Sequence, residues 1–128
     1  MQVQTFDQYE FGEGGSSEFW LAVASEAKGL RGKKKDITDF FDATQAYKGF
    51  SIRSTSRELD ISSQKNLIEA SEGIAFELDY LILFVNKRTN LNLEIDQSVH
   101  LIYKKWCDLD IVWEDKENYY RLMWFTTA

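Results

Sequence analysis

The amino-acid sequence predicts an α+β protein, with N-terminal helices and one long central helix packed on a mostly antiparallel, curved, C-terminal sheet. Apolar residues recur at helical spacing in the first two thirds of the chain and alternate in the last third. The chain has 128 residues, 44% of them hydrophobic, which suits one compact core. No linker-like stretch divides it, so we expect a single domain over residues 1–128.

The N-terminal helices are predicted from apolar residues spaced three and four apart. Residues 3–11, which precede them, fit either a strand or an irregular lead-in. Ser16 or Ser17 can cap the first helix. Its apolar face contains Phe19, Trp20, Val23, Ala24 and Ala27. Asp36 can cap the second helix, which buries Ile37, Phe40 and Phe41 and ends at Gly49.

The long central helix is predicted over residues 63–88. One apolar stripe supports it, formed by Leu67, Ile68, Ser71, Ile74, Ala75, Leu78, Leu81, Ile82 and Val85. Residues 50–57, which precede this helix, alternate and contain β-forming side chains, so they predict a strand.

The C-terminal sheet is predicted from alternating apolar residues in the segments 91–95, 109–113 and 120–124. Residues 115–118, with the sequence Asp-Lys-Glu-Asn, predict a hairpin turn between the last two strands. Residues 99–106 fit a helix or a strand. We favour a strand because it completes a meander of four.

Composition indicates an acidic, cytoplasmic protein. The formal net charge is -6, and Cys107 is the single cysteine, so no intramolecular disulfide can form. The first residues lack the basic start and apolar run of a signal peptide, and no segment is apolar enough to span a bilayer. We therefore expect a cytoplasmic protein with no membrane partner.

The sequence carries no catalytic motif. His100 is the only histidine, which excludes a multi-histidine metal site, and nothing around Cys107 resembles a nucleophile elbow. We predict no catalytic residues, no metal ligands and no cofactor, and we favour a binding protein over an enzyme.

The aromatic and apolar residues of the last hairpin are the strongest functional signal, because they occupy both faces of its strands. Two apolar faces indicate either burial under helices on both sides or an exposed patch that meets a partner. The interface candidates are Trp113, Tyr119, Tyr120, Met123, Trp124 and Phe125. The sequence thus predicts a small protein-binding module, such as an inhibitor, immunity-type or adaptor protein, that acts through an aromatic surface and is steered by its acidic charge toward a basic protein.

Two alternatives remain open. The first is a small-molecule binder or enzyme with a pocket in the curved sheet near His100, where the imidazole would act as acid or base. The second is anion or nucleic-acid binding through a basic run, which consists of Lys28, Arg31, Lys33, Lys34 and Lys35. The negative net charge argues against nucleic acid as the partner.

Overall fold

A computed structural model describes residues 1–7, 10, 19–29, 36–51, 67–69, 75–95, 98–105 and 108–126. These residues form six strands and three helices. In chain order they are β1 (Gln2–Asp7), β2 (Phe19–Ala27), α1 (Ile37–Thr44), α2 (Lys48–Ser51), β3 (Leu67–Glu69), α3 (Ala75–Arg88), β4 (Ser98–Lys105), β5 (Asp108–Glu114) and β6 (Asn118–Thr126). None of the described helices is long and apolar enough to cross a membrane.

The described strands form one sheet in the order β1-β2-β6-β5-β4-β3, and each neighbouring pair is antiparallel. Five strands have six to nine residues, and the edge strand β3 has three. The long pairing of β2 with β6 joins the N-terminal hairpin to the C-terminal meander.

One face of the sheet packs against α3. Leu81, Phe84 and Val85 of the helix join a core cluster that includes Leu21 and Leu122 of the sheet. These five side chains are at most 7% exposed. Burial of large apolar side chains, at about 1.5–3 kcal/mol each, holds this layer to the sheet.

The opposite face packs against α1 and α2. Phe40 and Phe41 of α1 and Phe50 of α2 cover the small side chains of Ala22 and Ala24. The sheet is therefore covered by helices on both faces.

The predicted N-terminal helix over the Phe19 to Ala27 segment is wrong, because this segment is strand β2. Trp20 and Ala22 pack on the α1 side of the sheet, whereas Leu21 and Val23 pack on the α3 side. A strand buried on both faces has a continuous apolar run, which also satisfies helical spacing. The sheet consequently includes both ends of the chain, and the prediction of a C-terminal sheet below N-terminal helices is wrong.

The predicted long central helix is also wrong. The described part of the chain has a three-residue strand at Leu67–Glu69 and a 14-residue helix at Ala75–Arg88 within that region. Residues 50 and 51 end α2, and residues 52–57 of the predicted strand lie outside the described residues. Residues 91–95 form no strand.

Other element predictions are confirmed. Helix α1 begins after Asp36, whose side chain accepts a hydrogen bond from the backbone N–H of Asp39, but it ends at Thr44, before the predicted end at Gly49. Residues 98–105 form strand β4, and the last two strands form the predicted hairpin. Residues 2–7 of the opening segment form strand β1.

Candidate functional site

The interface candidates of the last hairpin lie within the two core layers. Five are at most 6% exposed, and the sixth, Trp124, is half-buried. The buried five are Trp113, Tyr119, Tyr120, Met123 and Phe125. Helices cover both faces of this hairpin, which is one of the two arrangements expected from its apolar faces.

Of the five residues in the basic run, only Lys28 is among those that the structure describes. Its Nζ lies 3.2 Å from Oε2 of Glu114 and 5.0 Å from the ring centroid of Tyr119. This lysine therefore belongs to a local ion pair. The other four candidates, Arg31, Lys33, Lys34 and Lys35, lie outside the described residues.

His100 lies on β4, opposite Val112 of β5, and is half-buried. Its Nδ1 is buried and has no hydrogen-bond partner among the described residues. Burial lowers the pKa of the imidazole, and the nearby charge of Glu114 opposes this shift only in part. The folded protein thus favours the neutral imidazole.

We expect the single histidine to titrate below its ordinary pKa of 6.5. Just below pH 6.5 the unfolded chain then binds more protons than the folded chain. The contribution of His100 to the free energy of unfolding is therefore fully present above pH 6.5 and is lost as the pH decreases through the lowered pKa. Proton NMR of the imidazole and urea unfolding across this range test both statements. The His100→Gln variant should lose this part of the pH dependence, and a midpoint at or above 6.5 would contradict the expectation.

A polar cleft of about 400 Å³ opens at one end of the sheet, on the α3 face. Three carboxylates line it, those of Glu94, Asp115 and Glu117. Four side-chain amides also line it, from Gln2, Asn90, Asn92 and Asn118. The remaining lining residues are Ser25, Leu91 and Tyr120, so no lining residue is cationic and His100 is not among them.

The segment that follows α3 forms one wall of the cleft, and Asn86 holds it in place. The Asn86 amide donates to the backbone carbonyl of Leu93 at 2.9 Å and accepts from its N–H at 2.7 Å. Thr89 donates to the Val85 carbonyl at 2.8 Å and accepts from the N–H of Leu91 at 3.1 Å. These bonds fix an irregular backbone that makes no strand pairing.

Tyr120, which lines the cleft, belongs to a stacked aromatic pair. Trp113 and Tyr120 stack with ring centroids 5.2 Å apart and an interplanar angle of 24°. The indole Nε1 of Trp113 donates to the carbonyl of Glu94 at 3.2 Å, which ties this pair to the wall. Of the predicted interface residues, Tyr120 thus lines the cleft and Trp113 supports its wall.

Asp115 organises the opposite wall. Its Oδ1 accepts from the N–H groups of Glu117 and Asn118, both at 2.8 Å, and its Oδ2 accepts from the Tyr120 hydroxyl at 2.9 Å. Burial opposes ionisation of this carboxyl, but these donors and nearby Lys28 together lower its pKa. Burial and the bond to the Asp115 carboxylate raise the pKa of Tyr120 to about 12.

Carboxylates also surround the same end of the sheet on the α1 face. Burial raises the pKa of Tyr119, and the charges of four nearby carboxylates raise it further. These are Glu114, Asp36, Asp39 and Glu26. We call the four residues and the three cleft carboxylates together the acidic end.

A buried ion pair, missed by the sequence analysis, connects the sheet to α1. Arg121 is 1% exposed and Asp110 is 0% exposed. Arg121 donates from Nε to Oδ1 of Asp110 at 3.0 Å and from Nη2 to Oδ2 at 2.8 Å. Its Nη1 donates to Oγ1 of Thr44 and to Oε1 of Gln45, both at 2.7 Å.

Two phenylalanine rings enclose this guanidinium. The Cζ atom of Arg121 lies 4.5 Å from the Phe41 centroid and 4.6 Å from the Phe50 centroid. The side chains around Arg121 thus have a structural role, because they join α1 to the sheet. The sequence signal for this ion pair was Arg121 itself, a charged residue that alternates with Tyr119 and Met123 on an otherwise apolar strand face.

Comparisons with protein-family models, curated proteins and solved structures gave no match. Among the described residues, no group of three or more His, Cys, Asp or Glu side chains is arranged to hold a metal ion. The proposal for function therefore rests on the charge and shape of the acidic end.

Proposed function

We propose that this chain is a small cytoplasmic protein-binding module, of an inhibitor or immunity type, that recognises a basic protein through its acidic end. The observation that carries the proposal is the open, polar cleft whose three carboxylates have no cation among the lining residues.

The charge at this end supports the proposal. Its seven carboxylates outnumber the described cations around them. Lys28 is paired with Glu114, the N-terminal ammonium lies 3.9 Å from Oε1 of Glu26, and Lys116 lies between Asp115 and Glu117 in the chain. Grouped charges of one sign raise the local concentration of an oppositely charged partner and its rate of association. A basic protein surface is the partner that this field favours.

Electrostatic attraction by the carboxylates is the main basis of this proposal, and the aromatic residues of the hairpin contribute to binding only indirectly. Trp113 and Tyr120 are in the core, where they hold Glu94 and Asp115 in place. A rigid wall reduces the conformational entropy lost when a partner binds. The aromatic pair therefore supports recognition by keeping the cleft preformed.

Affinity capture from nuclease-treated lysate of the native host tests the proposal. The Glu94→Gln/Glu117→Gln variant should capture at least about tenfold less of a basic partner than the wild type, a loss of about 1.4 kcal/mol. The matched control is Glu10→Gln/Asp79→Asn, which changes the net charge equally with two exposed carboxylates outside the acidic end. The control should capture normally.

Equal capture by the two variants would contradict the proposal. Capture that disappears on nuclease treatment and in the Lys33→Ala/Lys34→Ala/Lys35→Ala variant would instead favour nucleic-acid binding by the basic run.

A further inference from the structure

Strand β1 lies at one edge of the sheet, and its outer side is unpaired within the part of the chain that the structure describes. The strand has six residues, pairs with β2 without a bulge, and carries no charge and no proline from Gln2 to Phe6. Proteins usually protect an edge strand with lysine, proline or a bulge, because its free N–H and C=O groups can pair with another strand. Strand β1 has none of these three protections.

The hydrogen-bond pattern of the sheet identifies the free groups of β1. The N–H of Lys28 donates to the carbonyl of Glu117 at 2.7 Å, which extends the pairing of β2 with β6 by one residue pair. Hydrogen-bonding groups alternate in direction along an antiparallel strand, so the even-numbered residues of β2 bond to β6 and the odd-numbered ones bond to β1. Their partners in β1 are its even-numbered residues. The N–H and C=O groups of Val3 and Thr5 therefore point away from the sheet.

A side chain occupies the next outward donor of this strand. The N–H of Asp7 donates to Oε1 of Glu10 at 3.2 Å, and the N–H of Glu10 donates to Oδ1 of Asp7 at 3.3 Å. A side-chain acceptor for the Asp7 N–H agrees with the alternation, which directs this group away from β2. Among the described strand residues, Val3 and Thr5 thus supply the free donors of the edge.

We infer that the edge of β1 pairs with the same edge of a second copy of this chain, antiparallel and with a two-fold axis at Gln4. In this register Val3 of each copy lies opposite Thr5 of the other, so every N–H and C=O group of the two residues gains a partner. A two-fold axis at Thr5 would instead place Val3 opposite Asp7, whose N–H is already bound. The alternation and the bound Asp7 therefore select one register.

The side chains of β1 also suit a second copy. In this register Gln2 lies opposite Phe6, Val3 opposite Thr5, and Gln4 opposite itself, so no like charges meet. Pairs of β-branched residues such as valine and threonine stabilise antiparallel strands, and Thr5 is exposed while Val3 is half-buried. A strand that complements itself is the form of interface on which two-fold dimers are built. An uncharged strand offers no attraction to a basic protein, so this contact is distinct from recognition by the acidic end.

Sedimentation equilibrium over a range of protein concentrations tests the inference. We expect a dimer with a dissociation constant on the order of 10–100 µM, because one strand pair buries little surface. At about 0.15 M salt the Debye length is about 8 Å, so repulsion between copies that each carry a net charge of -6 is largely screened. Amide exchange followed by NMR should show that protection of Val3 and Thr5 rises with protein concentration, while that of Asp7 stays constant.

Charge variants at the two-fold axis identify both the occupant and the register. Gln4→Lys and Gln4→Glu each place like charges opposite one another, so either variant alone should dimerise at least about tenfold more weakly than the wild type. An equimolar mixture of the two should recover the dimer, because opposite charges then meet at the axis. Asp79→Asn and Lys87→Gln, at exposed positions of α3, make the same changes in net charge and should dimerise normally.

The monomers provide the control for folding. Each Gln4 variant should melt at the wild-type temperature in dilute solution, where every protein is monomeric. A wild type that stays monomeric up to about 1 mM, a dimer without added protection of Val3 and Thr5, or a mixture that stays monomeric would overturn the inference. Protection of these two amides only in the presence of another captured protein would also overturn it, because the edge would then receive a strand of that protein.

Discussion

Replacing Arg121 with alanine should lower the free energy of unfolding by about 3–5 kcal/mol, because it removes the guanidinium that neutralises the buried carboxylate of Asp110. The change also removes the donors to Thr44 and Gln45, which tie the sheet to α1. Domains of this kind have about 5–15 kcal/mol of total stability, so a large part of it would be lost. Urea unfolding followed by circular dichroism measures the effect.

The Asp110→Leu/Arg121→Met double variant is the control, because it removes both charges and keeps most of the packing volume. Replacing a buried pair with apolar residues is often neutral or stabilising, so this variant should be more stable than Arg121→Ala. A double variant no more stable than the single variant would show that the ion pair itself is not the source of the effect.

Replacing Trp113 with alanine should cost about 3–5 kcal/mol of stability. The side chain is 3% exposed, belongs to the core cluster below α3, and stacks on Tyr120. The change also removes the hydrogen bond to the carbonyl of Glu94, so the wall of the cleft loses a support. Thermal and urea unfolding measure the loss.

Trp113→Phe keeps an aromatic ring and removes the indole N–H, so it should cost less than the alanine variant. A Trp113→Ala protein with wild-type stability and no partner capture would contradict the burial of this side chain. It would instead make Trp113 an interface residue of the kind that the sequence predicted.

The C-terminal meander could be predicted from sequence because alternation and turn chemistry agree there. Asp115 accepts hydrogen bonds from the backbone N–H groups of Glu117 and Asn118, the type of turn expected between two alternating segments. The N-cap of α1 at Asp36 was predictable for a similar local reason.

The rest of the fold depends on contacts distant in sequence. Strand β2 lost its alternation because helices cover both faces of the sheet, so its apolar run also fitted a helix. Residues 91–95 alternate like a strand, yet Asn86 takes both backbone hydrogen-bonding groups of Leu93. A side chain seven residues away thus directs this segment away from the sheet.

The cleft was not predictable because it brings together residues from four separate parts of the chain. These include Gln2 of β1, Ser25 of β2, Glu94 of the segment after α3, and Asp115 of the turn between β5 and β6. Ser25 carries no signal in the sequence.

The most direct test of recognition by the acidic end is the association rate constant of the captured partner at different ionic strengths. Raising the ionic strength from about 0.01 M to about 0.1 M shortens the Debye length from about 30 Å to about 10 Å. We expect the wild-type rate constant to fall at least about tenfold over this range, and that of Glu94→Gln/Glu117→Gln to fall less, with smaller changes in dissociation. A rate constant that is independent of salt, or equally sensitive in both proteins, would contradict recognition through these carboxylates.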